Sequence, residues 1–219
     1  YPRNLGGSFF LKLKYKKFYR KTSLKQRGIG DLFLSEIQKK NPKYFLEIGI
    51  FHGVTARNVC DLMSKNHGNQ FRYIGVDLFE EDEKYKNEIV PKFKFKNPLK
   101  NIYFKFIKKQ NPYSIEAVRD LLSKHKDNVE IIKGNTNKIL KTLALKDIDY
   151  IFIDGGHDYE TVKNDLFYCK KFLKQNGTIL CDDYDLSYAP GVRKAIEEFV
   201  MENNCKFEIL FNRFAKIEF

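Results

Sequence analysis

The sequence predicts an α/β fold, a mostly parallel sheet covered by helices on both faces, in one domain over residues 1–219. Three observations carry that prediction. Short apolar runs alternate with amphipathic helical stretches, the order that builds parallel strands joined by crossover helices. Several runs stop abruptly at carboxylates or glycine, as buried strands do where their C-terminal ends open on a ligand. The last two runs, 206–211 and 214–219, are separated only by Asn212-Arg213 and read as a closing hairpin, which makes the final strand antiparallel.

Residues 1–27 are basic and aromatic without a clean period, and 1–41 together form an N-terminal basic and helical segment. From 30 to 40, Leu32, Phe33 and Ile37 suit an amphipathic helix, which Pro42 ends. Tyr44-Phe-Leu-Glu-Ile48 reads as a buried strand and Gly49-Ile-Phe-His-Gly53 as the turn after it. Thr55 is expected to cap the next helix, which carries Ala56, Val59, Cys60 and Met63 on one face. The second strand, 71–76, ends at Asp77.

Residues 80–128 start acidic, turn basic and aromatic, contain Pro91, Pro98 and Pro112, and end in a helical stretch at 114–125. That is too long for an ordinary connection, so it reads as an insertion placed to act as a lid. Strand 129–133 follows, then Gly134-Asn135-Thr136, a short helix to Leu143, and strand 149–153. A helix over 159–173 places Val162, Leu166, Cys169 and Leu173 at helical spacing; Gly177 ends a turn before strand 178–181. Pro190-Gly191 opens the last helix, with Val192, Ile196, Phe199 and Val200 on one face.

Composition is that of a globular chain, at 42% hydrophobic residues. No apolar run reaches the roughly 18–20 residues that span a bilayer, and no signal-peptide pattern is present. Cys60, Cys169, Cys181 and Cys205 fall singly, which favours reduced, packed thiols over disulfides or zinc and a cytoplasmic setting. The net charge of +12 concentrates at 12–21 and again at 92–109. Such stretches could serve nucleic acid. The weaker claim, an abundance of lysine together with asparagine and aromatics, explains them better, so nucleic acid is the disfavoured partner.

The strand ends carry the chemistry. If strands 149–153 and 178–181 are neighbours, Asp154, Asp182 and Asp183 meet at one rim beside His157. Three crowded carboxylates repel, a cost usually offset by a bound cation. At the first strand, Gly49 and Gly53 let the backbone turn tightly, Glu47 offers a carboxylate to an amino group, and Asp77 is placed to accept from two ribose hydroxyls. Neither the dinucleotide glycine pattern nor a phosphate loop is present. A nucleoside carrying an amino acid suits these groups better than a diphosphate.

Phe45-Leu-Glu-Ile-Gly49, Gly75-Val-Asp77, Lys133-Gly-Asn-Thr136, Ile153-Asp-Gly-Gly-His157 and Leu180-Cys-Asp-Asp-Tyr184 together resemble class I S-adenosylmethionine-dependent methyltransferases. Within them, Asp154-Gly-Gly-His157-Asp-Tyr159-Glu-Thr-Val162-Lys-Asn-Asp165 is similar to the small O-methyltransferases that include the macrocin-type sugar enzymes. The resemblance implies a Rossmann-like sheet of seven strands and S-adenosyl-L-methionine as cofactor. It places Gly49 and Gly53 along the methionine part, Glu47 at its amino group, Asp77 at the ribose, and Asn135 with Thr136 toward the adenine.

By the same resemblance, Asp154, Asp182 and Asp183 match the magnesium ligands of catechol-type O-methyltransferases, so Mg2+ or another divalent cation is expected there. His157 falls where that group carries its catalytic lysine and is assigned as general base, with Asp154 beside it. Asp158 and Tyr184 are expected to flank the substrate, and His52, His67 and His125 to lie at the surface or in turns. The expected partner is a small-molecule hydroxyl acceptor, an anionic sugar suiting the lysines of 80–128 and Arg119; a homo-oligomer is left open. The reading from a different class is an RNA-binding or RNA-modifying protein that uses the basic N-terminal stretch.

Overall fold

The computed structural model describes residues 13–79, 97–185 and 187–219. Seven strands form one sheet in the order β3-β2-β1-β4-β5-β7-β6. They are β1 (Tyr44–Ile48), β2 (Arg72–Asp77), β3 (Val129–Lys133), β4 (Ile148–Ile153), β5 (Leu173–Cys181), β6 (Lys206–Leu210) and β7 (Phe214–Glu218). The first five run parallel, and β7 is antiparallel to both β5 and β6. Strand order reverses at β1, which has β2 on one side and β4 on the other. That switch point puts the C-terminal ends of β1, β2, β4 and β5 along one rim, the ligand-binding position of open α/β sheets.

Side-chain alternation explains the two cores. Phe45, Tyr73, Tyr150 and Phe152 face α1 (Ile29–Lys40) and α2 (Val54–His67), packing with Phe33, Ile37, Val59 and Met63. Leu46, Ile48, Ile74, Ile151 and Ile179 point the other way, with Leu166 of α6 (Tyr159–Phe172) and Ile196 of α7 (Pro190–Asn203). Each fully buried large side chain contributes roughly 1.5–3 kcal/mol of transfer free energy, so both faces hold the sheet. Between β2 and β3 lie α3 (Pro98–Ile102), a π-helical turn at Tyr103–Lys108 and α4 (Ile115–Leu121); α5 (Thr136–Ile139) follows β3. Among the described residues, no helix is long and apolar enough to cross a membrane.

Local details depart from the sequence reading in places. Thr55 lies inside α2, which begins at Gly53 in the left-handed region (φ 73°); the Thr55 hydroxyl bonds that of Tyr15 at 2.8 Å instead. Strand β5 starts at Leu173 and runs through Gly177, because Leu173 pairs with Ile148 before a register shift. His52 lies in a turn and His125 ends a 3-10 helix at Ser123–His125, yet both are buried; His125 Nε2 is 2.7 Å from Asp61. Part of the 80–128 insertion, including Lys92, Lys94 and Lys96, lies outside the described residues.

Candidate active site

A cavity of about 920 Å³ opens at this rim. Its cofactor-type end is built on the β1 turn. Gly49 (φ 89°), Phe51 (φ 52°) and Gly53 (φ 73°) alternate through the left-handed region, aiming the amides of Ile50 and Phe51 at one Asp77 oxygen, each at 2.7 Å. Left-handed Phe51 costs on the order of 1–3 kcal/mol, offset by these charge-assisted bonds. The other Asp77 oxygen accepts from the Phe79 amide at 3.0 Å and the Tyr113 hydroxyl at 2.8 Å. Burial raises the Asp77 pKa, and these four donors pull it back down.

Gly49 has no room for a side chain, since a Cβ there would stand 1.9 Å from the Asp154 carbonyl oxygen. Gly49, Phe51 and Asp77 line the cavity with Asn135 and Thr136. Asn135 also caps α5, its side chain accepting from the Asn137 amide at 2.9 Å. Glu47 and Gly53 are not among the lining residues. Glu47 turns toward α2, buried, and accepts from the Tyr73 hydroxyl at 2.6 Å. Burial pushes its pKa up to about 8 against the lowering effect of that bond.

The acceptor-type end collects Asp154, His157, Asp183 and Tyr188. The ends of neighbouring β4 and β5 place Asp154, Asp182 and Asp183 so that one oxygen of each lies within 4.8 Å of the others. His157 Nε2 is 2.9 Å from Asp183. A carboxylate accepts here, so Nε2 is the donor of this pair. Asp183 itself is left-handed at φ 60°. Asp154 accepts from the Ser23 hydroxyl at 2.7 Å; burial, then Asp182 and Asp183, raise its pKa well above the carboxylate range.

Several of these contacts were not read from the sequence. Arg213, in the β6–β7 turn, grips Asp182 with two bonds of 2.5 Å and reaches Asp183 at 3.4 Å. Burial pushes Asp182 up to about 6 while Arg213 pulls it down; burial opposes the Arg213 charge, and Asp182 more than restores it. Residues 17–25 of the N-terminal segment contribute to the cavity wall. Arg20 is buried, donating to the carbonyls of His52, Pro112 and Ala117, and it lines the cavity with Lys17, Lys21, Lys25 and Ser23. Its only sequence signal was its charge. The flanking roles expected of Asp158 and Tyr184 are not what the structure gives: Asp158 caps α6, and buried Tyr184 donates to Glu197 at 2.8 Å.

The three carboxylates do not fit a divalent cation as they stand. Both Asp182 oxygens are taken by Arg213, and Asp154 and Asp183 are engaged by Ser23 and His157.

A family model described as a methyltransferase domain matches residues 46–184, more than half of the chain. The chain belongs to this methyltransferase family. The class I fold expected from the strand-end motifs is borne out by solved structures. The calicheamicin methyltransferase CalS11 superposes with a TM-score of 0.65 at 15% identity, covering 90% of this chain and 81% of that one. The methyltransferase PaMTH1 of Podospora anserina, bound to SAH, gives 0.57 at 22% identity, with 88% and 78% covered. The uncharacterized protein R132 of Acanthamoeba polyphaga mimivirus is 35% identical over 98 residues, 39% of this chain. The methyltransferase chain covers 44% of that relative's length.

Proposed function

We propose that this protein is an S-adenosyl-L-methionine-dependent O-methyltransferase that methylates a hydroxyl of a small molecule, a sugar or other polyol bearing an anionic group. One observation carries the reading: a single cavity joins the Asp77 end to the Asp154, His157 and Asp183 end. At the first end, Asp77 lines the cavity and already accepts from the Tyr113 hydroxyl, so a ribose hydroxyl would bind Asp77 by taking the place of that side-chain hydroxyl. The absence of a Cβ at Gly49 lets the β1 turn lie close against the Asp154 backbone, so the two ends of the cavity adjoin. When bound, the sulfonium cofactor supplies an electrophilic methyl group, whose bond to sulfur breaks as its bond to oxygen forms.

The chain's own residues then have separable tasks. His157 takes the acceptor's hydroxyl proton, and Asp183, 2.9 Å from Nε2, orients the ring and stabilises the imidazolium that results. Asp154, just after β4, lines the acceptor end of the cavity and orients the acceptor. Lys17, Lys21, Lys25 and Lys100 line the same cavity and favour an anionic acceptor. CalS11, described as a TDP-rhamnose 3'-O-methyltransferase, supports the sugar reading by analogy of fold. Buried Cys60, Cys169 and Cys181 suit a reducing, cytoplasmic-type compartment.

Calorimetry with S-adenosylhomocysteine tests the core of this reading. Wild-type protein is expected to bind, and Asp77→Asn to lose at least about tenfold in affinity, near 1.4 kcal/mol. No binding by the wild type would sink the proposal. A screen of sugar nucleotides for methylated product by mass then tests the acceptor class.

A further inference from the structure

The carboxylate cluster already holds a cation of its own. Arg213 meets Asp182 in a two-bond fork, Nε to Oδ1 and Nη2 to Oδ2, both at 2.5 Å, and Nη2 reaches Asp183 Oδ1 at 3.4 Å. The Asp182 side chain has no exposure and that of Arg213 only 15%, so the pair is shielded from water. The backbone fixes the same approach, because the Tyr184 amide donates to the Arg213 carbonyl at 2.9 Å, tying the β6–β7 turn to the end of β5. The Asp183 amide donates to Asp182 Oδ1 at 2.8 Å, so both acidic residues are held in one arrangement.

From this we infer that Arg213 takes the place of a divalent cation: it is the fixed counter-ion of Asp154, Asp182 and Asp183, and it positions Asp183 to orient His157. A guanidinium stays charged at any pH the protein survives, and its planar fork matches a carboxylate. A divalent ion could enter only by displacing it from both Asp182 oxygens, or by binding beside a like charge in a buried site, and both are costly. The same three carboxylates without Arg213 would be an oxygen-ligand set of the kind that takes Mg2+ or Mn2+. The inference concerns this cluster alone and stands apart from the acceptor's identity.

Titration with Mn2+ alone, read by electron paramagnetic resonance and by thermal unfolding, tests it without turnover. Wild-type protein is expected to bind no Mn2+ at this site and to show no shift in Tm. Arg213→Met keeps the aliphatic stem and removes the charge; it is expected to take up one Mn2+ and gain several degrees in Tm when the ion is added. Arg213→Gln serves the same purpose should Arg213→Met fail to fold. Arg213→Lys, which retains the charge, is expected to stay free of Mn2+. Stoichiometric Mn2+ binding by the wild type that Asp183→Asn abolishes would overturn the inference, as would a folded neutral variant that takes up none. Binding of S-adenosylhomocysteine is measured separately, so failure of the methyltransferase reading would not be confused with failure of this one.

Discussion

His157 shows how one contact sets the chemistry of a side chain. Its Nε2 lies 2.9 Å from Asp183, which orients the ring and would stabilise its protonated form. Replacement by alanine is expected to lower turnover by about 10²–10⁴-fold, the range for a positioned general base. Affinity for S-adenosylhomocysteine is expected to stay unchanged, and a parallel loss of both would show that His157 shapes the cofactor end instead. The motif made the meeting of His157 and Asp154 at one cavity legible in the sequence. Arg213 was not legible, since an arginine in a two-residue hairpin turn looks like any solvated charge. Only the pairing of β7 with β5 brings it to Asp182.

At the scale of elements, the β1 turn is where the sheet's rim meets the cavity. Gly49 combines a φ of 89° with a Cβ position that would fall 1.9 Å from the Asp154 carbonyl oxygen. Backbone cannot yield as a side-chain tip can. Gly49→Ala is therefore expected to destabilise by more than about 2 kcal/mol and to weaken cofactor binding, measured by denaturant unfolding and calorimetry. An alanine variant of native stability would show that the turn relaxes. The sequence placed this glycine correctly because a strand followed by glycines and a helix has few solutions. It misplaced the start of α2 and the start of β5, where capping by Gly53 and the pairing of Leu173 with Ile148 overrode local signals. Residues 13–27 had no period to read, because they are held by contacts made at a distance, such as Tyr15 with Thr55 and Ser23 with Asp154.

The whole molecule keeps buried carboxylates whose pKa values are raised by burial: Glu47 to about 8, Asp182 to about 6, and Asp77 and Asp154 upward. Where such a group keeps a proton that the unfolded chain has already released, stability falls as pH rises. For Glu47 the contribution is complete below its unfolded pKa and is lost as pH climbs through about 8. Its limiting slope is about 1.4 kcal/mol per pH unit. Glu47→Gln, which can still accept from Tyr73, is expected to flatten the decline of stability between pH 5 and about 8 in denaturant melts. An unchanged slope would mean that Glu47 is ionised in the folded protein.

The order of strands and helices, the two-faced core and the acidic strand ends were determined by the sequence itself. Hydrophobic periodicity and chain alternation allow few architectures, and a motif of consecutive residues fixes its own spacing. What only the tertiary structure decided is which distant charges meet. Strand pairing carried Arg213 onto Asp182, and the N-terminal segment carried Arg20 to the cavity wall. Glu47 turned inward to Tyr73 because the period of the strand, not its chemistry, chooses the face a side chain joins. Such long-range encounters depend on packing that no local pattern records, and they separate a carboxylate cluster able to take a metal from one that already holds its counter-ion.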